Sequence, residues 1–276
     1  MNFKEFTQKF YQSEIIHNKI VDQLIYFLST ISKDKESLLA NGFLEIDFKI
    51  NDFLYYYDLV INHQKPIEYI VKEIVFLNLK YVIDEGVFIP RNETEFMVDW
   101  ILESDFINEV NNVLDLCSGS GVIANTICKY KNSLNVYGVD ICSKAVEVAK
   151  FNAKIYNLKT KFYLRDIFKL KKDFLISFDL IICNPPYIDE NYKLPISVKK
   201  YEPKKALYAK DFGLQYYKRY IVEIFPLLKN HSKTIFEIGF DQKDKLAEFL
   251  VSQKITNFYF LKDLNQNYRI LVIDKC

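Results

Sequence analysis

From residue 113 onward, short apolar runs alternate with helical stretches, and that alternation narrows the possible folds more than any other feature. The runs Val113–Leu116, Val136–Val139, Lys161–Leu164, Leu180–Cys183, Thr234–Ile238, Asn257–Leu261 and Arg269–Ile273 read as seven strands. Helical patterns follow Gly121, Ser143 and Gly213, and a further one covers Lys243–Ser252. Strands that alternate with helices pair in parallel, and the crossover helices cover both faces of the sheet. The last two runs are joined only by the turn-rich segment Lys262–Tyr268, which is too short for a crossover, so the last strand is expected to be antiparallel. The expected fold is therefore α/β, a Rossmann-like seven-stranded sheet.

Two segments precede it. Residues 1–64 place Phe3, Phe6, Phe10, Ile20, Leu24, Phe27 and Leu28 at spacings of three and four, with Ser37 and Asn51 as helix caps, which predicts a small helical domain. Residues 65–90 are β-rich at Ile74–Leu77 and Tyr81–Ile83 and carry the turn signal Asp84-Glu85-Gly86, a hairpin linker. Residues 91–276 form the third segment, in which Asn92 can cap a helix with Glu95 in the capping-box position.

Composition excludes several classes. With 276 residues, 50% hydrophobic and 26% charged, the chain can bury a core without staples. The net charge of +1 is not that of a body gripping duplex, and residues 1–85 are acidic, with 9 Lys against 13 Asp and Glu. The five cysteines form no C-x-x-C pair and read as reduced thiols. None of the three histidines has metal-ligand spacing with them, so no metal is expected. Lys4, Glu5 and Lys9 argue against a leader and no apolar run reaches a membrane span, so a cytoplasmic protein with no membrane partner is expected.

Val113 to Gly121 is a strand running into a glycine-bearing turn that opens a helix, the place where such sheets bind ligands. Cys117, Ser118, Gly119, Ser120 and Gly121 form the loop. Gly119-x-Gly121-x-x-Ala124 also fits the dinucleotide fingerprint, so the loop alone leaves several adenosine cofactors open. Asp140 ends the next strand, where a carboxylate can accept from both ribose hydroxyls. Asp166 ends the third and can accept from an adenine amino group, with Ile167 or Phe168 against the ring. Asp115, near the loop, suits a sulfonium better than a pyrophosphate, which favours S-adenosylmethionine.

The most specific signal is Asn184-Pro185-Pro186-Tyr187 at the end of the buried run Leu180–Cys183. Two prolines fix φ and remove two N–H donors, so the local carbonyls become stiff acceptors. The Asn184 carboxamide oxygen and the Pro185 carbonyl can accept both hydrogens of a planar NH2, with Tyr187 against its face. That holds the nitrogen lone pair towards a methyl donor, and positioning and fixed dipoles carry the chemistry.

This constellation resembles the class I S-adenosylmethionine-dependent methyltransferases, and within them the HemK-type protein glutamine methyltransferases. Pro66-x-x-Tyr69-Ile70, Phe88-Ile89-Pro90-Arg91-Asn92-Glu93-Thr94-Glu95, Tyr201-Glu202-Pro203 with Ala206-Leu207, Asp211-x-Gly213-Leu214, Glu237-Ile238-Gly239 and Asp263 with Arg269 carry the likeness. Asn92 replaces a proline, Cys117 the first loop glycine (so this residue is expected to avoid positive φ), and Asn265 another glycine. The resemblance implies methylation of the glutamine in the Gly-Gly-Gln tip of peptide chain release factors, with the helical domain contacting the factor. For Arg91 and Glu93 it leaves two readings open, hydrogen bonding on the substrate side or a salt-bridge cluster. The alternatives are a ribosomal-protein glutamine methyltransferase and a nucleic-acid adenine or guanine amino methyltransferase, the latter disfavoured by charge. A nicotinamide-linked oxidoreductase would need a general acid, and no histidine lies near the strand ends.

Overall fold

The computed structural model describes residues 18–24, 27 and 50–276, so the expectations at Phe3, Phe6, Phe10, Leu28 and Ser37 lie outside the described residues. The chain divides into two compact units, one comprising residues up to Glu73 with Pro195–Tyr201, the other Ile74–Leu194 with Glu202–Cys276.

In the first unit, residues 18–24 are helical, followed by α1 (Ile50–Ile61) and a short helix at Ile67–Val71. Val21, Leu24, Phe53 and Ile70 are buried together, which accounts for the apolar spacing around Ile20–Phe27. Asn51 falls inside α1 rather than before it, so it is not the cap expected of it.

The hairpin consists of β1 (Glu73–Phe76) and β2 (Leu79–Val82). Leu77 and Asn78 turn between them with φ of 45° and 61°, a reversal that matches strand twist. Its residues from Leu77 on are bonded to the second unit. Asn152 accepts from the Val82 N–H at 2.8 Å and donates to the Val82 carbonyl at 2.9 Å. Glu95 Oε1 accepts from the Leu77 N–H at 2.7 Å. That bond also corrects the capping-box expectation. The helix α2 spans Asn92–Glu103 with Arg91 at the N-cap and no side-chain cap, because the Glu95 carboxylate serves the otherwise orphaned turn amide instead.

The seven-stranded sheet contains β3 (Asn112–Leu116), β4 (Asn135–Asp140), β5 (Lys161–Leu164), β6 (Leu180–Cys183), β9 (Lys233–Glu237), β10 (Phe258–Lys262) and β11 (Tyr268–Asp274). A two-residue ladder, β7 (Ile188–Asp189) with β8 (Tyr208–Ala209), stands apart. The order is β10-β11-β9-β6-β3-β4-β5, with β11 antiparallel to both neighbours and the other pairs parallel. The main helices of this unit, besides α2, are α3 (Val122–Tyr130), α4 (Ser143–Ile155), α5 (Gln215–Arg219, continued by a π-turn over Tyr220–Ile224) and α6 (Lys243–Ser252). All four residues of β6 are buried, as a central parallel strand covered on both faces requires. Tyr217 and Tyr220 pack edge-on against Phe236, at centroid distances of 5.3 and 4.8 Å. Their hydroxyls are satisfied by the Glu237 carbonyl and the Thr234 hydroxyl, so two large rings are buried without orphaned polar atoms. Among the described residues no helix is long and apolar enough to cross a membrane.

Candidate active site

The parallel strands all end at one edge of the sheet, and a cavity of about 600 Å³ opens there. Its walls include Cys117, Ser118, Gly119, Ser120, Asp140, Asp166, Ile167, Phe168, Asn184, Pro185, Pro186 and Tyr187. Asp115, Gly121, Arg91 and Glu93 do not line it.

The loop after β3 turns through three positive-φ residues, Cys117 (59°), Gly119 (53°) and Gly121 (77°). Cys117 does not avoid positive φ as expected. The tight turn imposes the left-handed conformation, and the cysteine adopts it at a cost in local strain. The two glycines serve different ends. A Cβ on Gly119 would meet nothing within 4 Å, so backbone is laid open to the cavity. On Gly121 it would stand 2.7 Å from the Ala149 Cβ and 2.8 Å from Phe162, so that residue permits helix-on-strand packing. The hydroxyls of Ser118 and Ser120 are buried and have no partner among the described residues.

Asp115 lies fully buried on β3, where Oδ2 accepts from the Ala124 N–H at 3.2 Å and Oδ1 has no partner among the described residues. It supports the start of α3, and burial pushes its carboxyl well above the ordinary range. Asp140 does line the cavity. Its Oδ2 accepts from the Gly119 N–H and its Oδ1 from the Cys142 N–H, both at 2.8 Å, which ties the glycine loop to the turn after β4. Burial raises this carboxyl too, against the pull of those amides. Asp166 Oδ1 accepts from the Phe168 N–H at 3.0 Å and so shapes the turn that presents Ile167 and Phe168. The Arg219 guanidinium lies 3.6 Å over the Phe168 ring while paired with Glu223, and Tyr216 stands beside it. Neither Tyr216 nor Arg219 was anticipated from sequence.

At the other end, the Asn184 Nδ2 donates to Thr94 Oγ1 at 3.1 Å and to Glu237 Oε2 at 2.9 Å. Thr94 Oγ1 in turn donates to Glu237 Oε2 at 2.5 Å, and Tyr187 Oη donates to Glu237 Oε1 at 3.1 Å. The Asn184 Oδ1 and the Pro185 carbonyl accept no hydrogen bond among the described residues. Burial pushes the Tyr187 hydroxyl well up, and the Glu237 charge adds to this. Glu237 and Thr94 were not expected to shape the site. The available signal was a carboxylate closing an otherwise apolar strand, as Asp140 does.

Arg91 is paired with the buried Glu202, which also accepts from the Ile89 N–H at 3.3 Å. Glu93 pairs with Arg269 at 3.2 Å, and Arg269 with Asp263 at 3.5 Å. Both residues thus sit in ion pairs of the second unit.

A release factor glutamine methyltransferase from Clostridium acetobutylicum is 32% identical over 257 residues, 91% of this chain and 90% of its own length. The chain belongs to the release factor glutamine methyltransferases. This methyltransferase is likewise 34% identical over 217 residues to the corresponding protein of Thermodesulfovibrio yellowstonii, 77% of either chain. The family described as methyltransferase small domain matches its residues 79–199. The fold of this enzyme is that of class I methyltransferases. The Thermus thermophilus 16S rRNA N2 G1207 methyltransferase, solved with AdoMet and guanosine, superposes with a TM-score of 0.53 at 18% identity, covering 74% of this chain and 50% of that one.

Proposed function

We propose that this enzyme transfers a methyl group from S-adenosylmethionine to the side-chain amide nitrogen of the glutamine in the Gly-Gly-Gln tip of a peptide chain release factor, and that it acts in the cytoplasm. The observation that carries the reading is the Asn184 carboxamide, whose two N–H donors are spent on Thr94 and Glu237 so that Oδ1 remains an acceptor. Beside it, the Pro185 carbonyl offers a second acceptor on a stiff backbone. Two acceptors suit the two hydrogens of a planar NH2.

The residues on the glycine-loop side fit the cofactor. Ser118 and Ser120 line the cavity, and the space above Gly119 is open. Asp140 keeps acceptor capacity for ribose hydroxyls beyond its two amide bonds, Asp166 for an amino group, and Ile167 and Phe168 provide apolar surface. When bound, S-adenosylmethionine supplies an electrophilic methyl group on a cationic sulfur. Asn184 Oδ1 and the Pro185 carbonyl hold both amide hydrogens, which aligns the glutamine nitrogen, and Tyr187 covers its flat face. The proton shed after transfer passes to water.

The test is incubation with methyl-labelled S-adenosylmethionine and, in separate reactions, a release factor, ribosomal protein and nucleic acid. Label on the release-factor glutamine is expected. Label confined to ribosomal protein or nucleic acid overturns the reading.

A further inference from the structure

One fully buried carboxylate touches neither cofactor space nor acceptor, yet three side chains of the acceptor end converge on it. We propose that Glu237 is a positioning residue: its ionised carboxylate locks the Asn184 carboxamide with Oδ1 towards the substrate nitrogen and holds the Tyr187 hydroxyl. The inference rests on the methyl transfer to an NH2 group proposed above.

A carboxamide has nearly the same shape in its two flipped orientations, so its neighbours decide which end faces the cavity. An ionised Glu237 can only accept. Its Oε2 takes the Thr94 hydroxyl proton at 2.5 Å, which leaves the Thr94 oxygen as an acceptor too. Asn184 therefore meets two acceptors, at 2.9 and 3.1 Å, and only its NH2 end can sit there. Oδ1 is thereby turned the other way. A proton placed on Oε2 reverses this logic. The carboxylic acid then donates to Thr94, the Thr94 hydroxyl becomes free to donate to Asn184, and the flipped carboxamide is accommodated. Flipped, it presents NH2 to the substrate NH2, donor against donor. The transfer-competent state is the ionised one.

The surroundings place this titration in an accessible range. Burial pushes the Glu237 carboxyl up to about 7, partly opposed by the bonds from Thr94 and Tyr187. The charged and titratable groups facing it are Glu93 from α2, which raises it, and Arg269 from β11, which lowers it and is itself shared between Glu93 and Asp263. Tyr187 follows β6, and Tyr217 from α5 donates to the Glu237 backbone carbonyl at 2.8 Å. Activity is therefore expected to rise with pH through about 7.

The experiment compares the full-length wild type with Glu237→Gln and Glu237→Ala, using methyl-labelled S-adenosylmethionine and a release factor. Glutamine at 237 keeps the shape of the side chain but cannot ionise, and its NH2 can donate to Thr94 as the protonated acid does. Wild-type kcat should fall about tenfold from about pH 8 to pH 6, as a single group of pKa near 7 requires. Glu237→Gln mimics the protonated acid, so its kcat should lie about tenfold or more below the wild-type value at about pH 8 and lose that acid limb, with the KM for cofactor unchanged. Glu237→Ala should lose roughly 100-fold in kcat, the scale of a removed transition-state contact, while cofactor affinity by calorimetry stays within about twofold. An acid limb that persists in Glu237→Gln, wild-type kcat in Glu237→Ala, or cofactor affinity falling in step with kcat in the folded variants overturns the proposal. Absence of label on the release factor with the wild type would fault the substrate assignment instead, and the same three proteins compared on the acceptor that is labelled would still decide the role of Glu237.

Discussion

At the glycine-loop end of the cavity, Asp140 bonds to two backbone amides, those of Gly119 and Cys142, and two buried serine hydroxyls of the loop have no partner among the described residues. At the acceptor end, Glu237 gathers three side chains, and the polar groups that remain open are two acceptor oxygens on Asn184 and Pro185. Both ends use a carboxylate that closes a buried strand. One organises backbone; the other organises side chains and leaves two acceptor oxygens without a hydrogen bond among the described residues. The difference suits the proposed roles, a cofactor at the glycine-loop end and an NH2 group, rich in hydrogens, at the other.

The largest effect should come from attacking the two ends separately. Asn184→Ala removes one of the two acceptors for the transferred-to nitrogen and should lower kcat about 10²–10³-fold, with cofactor affinity nearly unchanged. Asp140→Ala should do the opposite, weakening cofactor binding roughly 10–100-fold through loss of charged hydrogen bonds, with a smaller effect on kcat at saturation. Titration calorimetry beside steady-state kinetics separates the two. Parallel losses of both quantities in both variants would show that the ends are not independent.

The two ends were not equally legible. Asp140 is 21 residues from Gly119 and two from Cys142, so a strand, a glycine turn and a second strand bring its partners into one short stretch. The same locality made β5 and β6 readable to the residue, since an apolar run bounded by turn residues fixes both ends. Glu237 is 143 residues from Thr94, 53 from Asn184 and 50 from Tyr187, and it is the pairing of β9 with β6 and the packing of α2 against β9 that make them neighbours. No local pattern encodes that. Glu95 was misread for the same reason: its capping-box spacing is local, whereas the amide it serves, that of Leu77, comes from a hairpin 18 residues away.

A smaller effect tests whether the loop itself divides into ligand and packing positions. Gly121→Ala places a methyl group against Ala149 and Phe162 at a φ of 77° and should destabilise the fold by about 2–3 kcal/mol, read as a loss in thermal or denaturant midpoint. Gly119→Ala meets open space, so its stability cost should be nearer about 1–2 kcal/mol, from the left-handed backbone alone. Its added methyl group points into the cavity, so cofactor affinity should fall more in Gly119→Ala than in the folded fraction of Gly121→Ala. Equal stability losses would mean that backbone strain, and not packing, distinguishes this loop.

The smallest expected change lies at Cys117. Its φ of 59° carries a left-handed penalty of about 1–2 kcal/mol that glycine would not pay, yet glycine also loses roughly 0.5–1 kcal/mol through the greater freedom of its unfolded chain. The half-buried thiol packs against the core, so its removal forfeits some contact as well. These contributions nearly cancel, and Cys117→Gly should shift stability by less than about 1 kcal/mol in either direction. A gain well beyond that in denaturant unfolding would mean that the cysteine holds the loop under strain that the acceptor end, with all of its partners around Glu237 satisfied, does not share.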